Sequence, residues 1–131
     1  MNLKVKYTPV LVQEPDAVRR FLTETIGFKF WQNTVITDHR EGIIVGVDGN
    51  NENFLILIRN DEPGNLPADQ PVRSKVIINT DDCLKDYYAL SEKGVKFCNK
   101  PQYTSLGLAV DMVDTHGNQY TLLEERDYQE N

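Results

Sequence analysis

Lys75 is the residue whose type and setting most invite chemistry in this chain of 131 residues. It lies in "VRSKVIINT" (72–80), a candidate strand. An ammonium on the inner face of a strand loses hydration and needs a partner or a ligand. With Arg59 and Tyr7 it would anchor a carboxylate or phosphate. Alternatively it forms a salt bridge, for example to Asp111, or lies where the strand opens to water. The two histidines offer less. His39 in "TDHREG" and His116 in "DTHGN" have acidic neighbours but no metal-ligand spacing, so both read as turn residues. Cys83 opens a candidate helix, a position that favours a thiolate, yet the pattern brings neither histidine beside it. Cys83 and Cys98 lack metal spacing and are expected to be reduced. The chain has no Gly-x-Ser-x-Gly, phosphate loop or dinucleotide fingerprint, so nucleophilic catalysis finds no support.

The composition bounds the partners. A formal net charge of −6 without a basic cluster argues against nucleic acid, because phosphate neutralisation needs grouped Lys and Arg. Hydrophobic content of 40% and charged content of 26% are those of an ordinary globular domain. No apolar run approaches the roughly 18 residues of a membrane span, and "MNLKVKYTPV" reads as a strand rather than an export signal. A cytoplasmic, bacterial setting is the expectation.

The elements that must position these residues are punctuated clearly. "KVKYTPVLV" (4–12) reads as a strand, with Pro9 pointing to an edge or bulge. "EPDAVRRFLTETIG" (14–27) reads as a helix opened by Pro15 and Asp16 and closed by Gly27. "FKFWQNTVIT" (28–37), "GIIVGVDG" (42–49) and "NFLILIRN" (53–60) follow as strands. A proline-rich linker at 61–71 precedes a restart: strand 72–80, helix 81–94, and strands 95–100, 107–115 and 118–125. "DYY" (86–88) reads as helix packing, with Tyr88 repeating Phe21.

The halves repeat. Gly27-Phe28-Lys29-Phe30 recurs as Gly94-Val95-Lys96-Phe97 at an offset of 67, and hairpin 47–58 matches 113–124 at an offset of 66. Two β-α-β-β-β modules, 1–60 and 72–131, each too short to bury a sheet face alone, are expected to form one α+β domain, 1–131. Strand alternation places Val5, Tyr7, Pro9 and Leu11 on an inner face, with Leu55, Leu57 and Arg59, then Ser74 or Lys75, Ile77 and Asn79, then Thr121 and Leu123. Phe30 and Trp31 would add an aromatic wall. The result would be an apolar cavity with a few polar groups, the usual make-up of a small-molecule site.

The modules and the turn "VDTHGNQYTLLEE" resemble the vicinal oxygen chelate superfamily, which includes glyoxalase I, bleomycin-resistance proteins and extradiol dioxygenases. The resemblance implies curled mixed sheets around a cleft, and four metal-ligand positions that are His, Glu or Gln in metal-bearing members. These fall on Tyr7, Leu55, Lys75 and Thr121. None is a good ligand for a divalent metal, and neighbours Lys6, Thr8, Phe54, Ile56, Ser74, Val76, Tyr120 and Leu122 are no better. The expectation is therefore a protein without metal or other cofactor, similar to the bleomycin-resistance branch. It would sequester an antibiotic or metabolite through Tyr7, Trp31, Leu55, Leu57, Arg59, Lys75, Asn79 and Thr121. Members of this size imply a homodimer. A glyoxalase-like lyase, isomerase or dioxygenase, and a partner-binding or regulatory module, are the alternatives.

Overall fold

The computed structural model describes residues 3, 5–36, 40–47, 49, 52–59 and 75–127. The linker at 61–71, His39, Ser74 and the last four residues, 128–131, lie outside them. The chain divides into two compact units, 1–72 and 73–131. No helix among the described residues is long and apolar enough to cross a membrane.

The first unit runs β1 (Tyr7–Val12), α1 (Pro15–Arg20), π-helical turns (Phe21–Ile26), β2 (Lys29–Ile36), β3 (Arg40–Gly46) and β4 (Phe54–Arg59). Its sheet has the order β1-β4-β3-β2, with β1 parallel to β4 and the other pairs antiparallel. Pro9 is accommodated because β1 is an edge strand. The expected helix begins at Pro15 and ends at Gly27, whose φ of 103° suits a residue without a Cβ. Its second half widens: the Gly27 and Phe28 amides both donate to Leu22 O, at 2.9 and 2.8 Å. Thr23 Oγ1 donates to Arg19 O at 2.8 Å, a side-chain bond of the kind that accompanies loosened helical ladders. Val18 and Leu22 are buried, with Val10, Val12, Val45 and Leu57, where α1 packs across β3 and β4.

The second unit runs β5 (Lys75–Asn79), α2 (Cys83–Glu92), β6 (Lys96–Phe97), β7 (Gln102–Tyr103), β8 (Gly107–Val113) and β9 (Gln119–Glu125). The expected strand 95–100 is shorter: β6 ends before Pro101, which has no amide to donate, and β7 resumes the pairing with β8. The sheet order is β5-β9-β8-β6, with β5 parallel to β9. Asp82 caps α2 by accepting the Lys85 amide at 3.1 Å. Cys83, Leu90, Val110, Met112, Tyr120 and Leu122 are buried, where α2 meets β8 and β9. Tyr88 departs from its expected packing role: it is 64% exposed, and Tyr87 instead meets Phe97 edge-on at 4.7 Å between centroids.

Asp114 organises the β8–β9 turn. Its carboxylate accepts the His116 and Asn118 amides, both at 2.9 Å, and the Tyr120 hydroxyl at 2.9 Å. Gly107 is required where β8 begins. A Cβ there would lie 2.1 Å from Glu124 O, and its φ of +149° disfavours any side chain. The first unit follows the expected β-α-β-β-β order, the second does so with its second strand interrupted into β6 and β7, and the α+β class with two mixed sheets is as expected.

Candidate functional site

In the first unit, cross-strand register assigns the faces. Tyr7, Pro9 and Leu11 stand opposite Phe54, Ile56 and Ile58, on the side of the sheet away from α1. Phe54 is 5% exposed, although it lies on this open face. Its ring is stacked with Tyr7 at 5.6 Å and tilted against Trp31 at 5.2 Å. Gly46 makes room for it: a Cβ there would come within 2.7 Å of the Phe54 ring. Trp31 reaches this face through a β-bulge. Phe30 pairs with Val45 and Gln32 with Ile44, so Trp31 is the extra residue. Tyr7 and Trp31 remain 43% and 53% exposed.

Three expected residues lie on the other face. Leu55, Leu57 and Arg59 stand opposite Thr8, Val10 and Val12, on the helix side. Leu57 is fully buried there. Arg59 donates a long 3.4 Å hydrogen bond to Gln13 O and lines a hollow of about 630 Å³ with Glu14, Asp16, Arg20 and Glu41. Phe30 also turns to the helix side, 5.9 Å from the Arg19 guanidinium, so the aromatic wall is Trp31 without Phe30. The β4 phase is lost because "FLILIR" is apolar at five consecutive positions and each of its faces carries a buried residue, Leu57 on one and Phe54 and Ile58 on the other. The hairpin match at offset 66 carries the same one-residue error. Phe54 points to the open face, whereas Tyr120 belongs to the helix face opposite Val76 and Met112.

The second unit follows the expected alternation. Lys75, Ile77 and Asn79 stand opposite Gln119, Thr121 and Leu123. Asp111 and Ala109 of β8 join the same face opposite Thr121 and Leu123. A hollow of about 320 Å³ opens there, lined by Lys75, Ile77, Leu106, Asp111, Thr121 and Leu123 among others. Asn79 shares the face without being part of that lining.

The Lys75 ammonium pairs with Asp111 Oδ1 at 3.0 Å, the salt bridge weighed from the sequence. Thr121 Oγ1 donates to the same oxygen at 2.6 Å, and Asn99 Nδ2 donates to Oδ2 at 3.3 Å. Burial alone would raise the Asp111 pKa. The hydrogen bonds from Thr121, Lys75 and Asn99, with the Lys75 charge, outweigh it and hold the carboxyl below its ordinary value. Asn99 and Leu106 escaped the sequence reading because they come from the irregular stretch flanking β7, where no periodicity assigns a face.

These groups do not fit a divalent cation. Tyr7, Lys75 and Thr121 do lie on open faces, but they present a phenol, an ammonium and a hydroxyl whose proton is committed to Asp111. Leu55 is turned away, and Phe54 and Ile56 hold the open positions beside it. The Asp111 carboxylate already serves Lys75, and the ammonium would repel a metal ion. His116 lies in the β8–β9 turn, beside Thr115. Cys83 departs from the thiolate expectation: burial pushes its thiol pKa up, and Glu124, Asp86 and Asp82 add negative charge that pushes it further.

A protein of Shewanella frigidimarina (strain NCIMB 400) is 26% identical, over 98% of this chain and 98% of its own. YurT of Bacillus subtilis (strain 168) is 29% identical, over 88% of this chain and 94% of its own. Among solved structures, TnmS3, an antibiotic binding protein from Streptomyces sp. CB03234, superposes with a TM-score of 0.71 at 23% identity, covering 95% of this chain and 98% of that one. UcmS2 superposes with a TM-score of 0.74 at 19% identity, covering 95% and 100%. At these identities the superpositions speak to the fold. The profile of the Glyoxalase/Bleomycin resistance protein/Dioxygenase superfamily matches residues 4–122, and with β-α-β-β-β order in both units the chain belongs to that superfamily.

Proposed function

We propose that this protein holds a small molecule with an aromatic or apolar body, without metal and without transforming it. The observation that carries the reading is the half-open aromatic face of the first unit. Phe54 is fixed over Gly46, and Tyr7 and Trp31 flank it with much of their ring surface uncovered. Such a face suits stacking, in which an aromatic pair contributes about 0.5–1.5 kcal/mol beyond the apolar area it buries. The likeness to TnmS3 supports an antibiotic or related metabolite as the ligand class. The donor chemistry at Tyr7, Lys75 and Thr121 supports the metal-free state, and the protonated, buried Cys83 gives no nucleophile. Exposed, free Cys98 suits a reducing compartment such as the cytoplasm.

Trp31 is the single tryptophan of the chain and reports on its own face. Titration of its fluorescence with a panel of planar aromatic antibiotics should give saturable quenching by at least one member. The curve should be the same with added zinc or with chelator, and the ligand should be recovered unchanged. Trp31→Ala removes the reporter, so it is titrated calorimetrically, and it should weaken binding by about tenfold, near the upper end of one stacking contact. Silence across the panel would defeat the binding reading; a zinc-dependent curve or a consumed ligand would point to an enzyme.

A further inference from the structure

Resting on the reading that this fold takes a small molecule, we infer that the hollow of the second unit recognises an uncharged oxygen acceptor on an apolar body, such as an aryl ketone, ester or amide, and rejects a free carboxylate. The reason is the balance of charge and donors at its polar end. The Lys75 ammonium carries three donors, and one is directed to Asp111 Oδ1 at 3.0 Å. The side chain is still 42% exposed, so the rest of the ammonium is reachable. Asp111 Oδ1 accepts both Lys75 and Thr121, while Oδ2 accepts Asn99. The carboxylate is thereby matched, and the pair carries no net charge. Ile77, Leu106, Ala109 and Leu123 supply the apolar remainder of the lining.

An incoming carboxylate would have to shed its hydration, share an ammonium already paired, and sit beside the like charge of Asp111. A carbonyl sheds far less hydration and needs only one N–H. A cationic ligand would meet Lys75 and find Asp111 occupied. Lys75 is thus a donor for neutral oxygen rather than an anion anchor, and Asp111 is the residue that sets this specificity.

A matched series tests the inference: 2-acetylnaphthalene, 2-naphthoate and 2-naphthylmethylammonium, titrated calorimetrically into the full chain. The unmodified protein should prefer the ketone to the carboxylate by about tenfold or more. Asp111→Asn keeps the side-chain shape and removes the charge that pairs the ammonium, so it should shift the naphthoate-to-ketone affinity ratio about tenfold towards naphthoate. Lys75→Met should weaken the ketone without improving the carboxylate. A preference for naphthoate in the unmodified protein, or a ratio that Asp111→Asn does not move, overturns the inference. If none of the three binds while an antibiotic still quenches Trp31, the inference falls and the binding reading stands. If Trp31 is silent as well, both fall.

Discussion

Asp111 makes one polar cluster of four side chains, and acid should reveal it. Its pKa is lowered from an ordinary value of 3.8, so the folded state favours the ionised form. The stability this contributes is complete above the unfolded-state value of about 3.9 and disappears as pH falls through the lower folded value. Asp111→Asn should therefore flatten the stability profile below about pH 4 and leave its neutral-pH slope unchanged. The effect will be modest, because Lys75 and Asp111 are both partly exposed. Urea denaturation between pH 2 and 7 measures it, and identical acid limbs for the two proteins would contradict it. Tyr120 illustrates the opposite case. Burial first, then the Asp114 charge and hydrogen bond, push its phenol well above the usual tyrosine range, so it stays a donor at any working pH.

Among the elements, those with chemical punctuation were legible in the sequence. Pro15 and Asp82 open the helices, Gly27 closes the first helical run, and Pro9 marks an edge strand. The faces of β1 and β5 followed from alternation, and Thr121 is the polar residue that fixes the phase of β9. β4 was not legible. With five consecutive apolar residues and buried side chains on both faces, no periodicity distinguishes Phe54 from Leu55, and the register with β1 decides. The Lys75–Asp111 pair was legible because each is the charged residue of its strand. Asn99 was not, because its position depends on the turn before Pro101.

Gly107 gives the sharpest test at this scale. Gly107→Ala places a Cβ against Glu124 O and should cost at least about 3 kcal/mol, or prevent soluble expression. Gly27→Ala has open space around its Cβ and should cost only the backbone strain, about 1–2 kcal/mol. Thermal melts of the two variants should separate widely; equal losses would remove the steric account of Gly107.

For the whole molecule, the repeat and the family membership lead to the proposal of one domain that works as a homodimer. Scanning calorimetry should then show a single transition, and its midpoint should rise with protein concentration. Two transitions would divide the chain into independent domains, and a midpoint independent of concentration would leave it a monomer. A bound ligand at 100 times its Kd should add about 2.7 kcal/mol to that stability, so the same instrument can screen for it.

The bulge at Trp31 has a consequence for how such a protein diversifies. β2 is the outermost strand of its sheet, so an extra residue there disturbs the pairing with β3 alone. Loss of a single codon would erase the tryptophan and restore regular pairing, with Phe30 and Gln32 keeping their partners. The aromatic wall is therefore a removable insertion, one that natural variation can exchange without recasting the sheet that carries it.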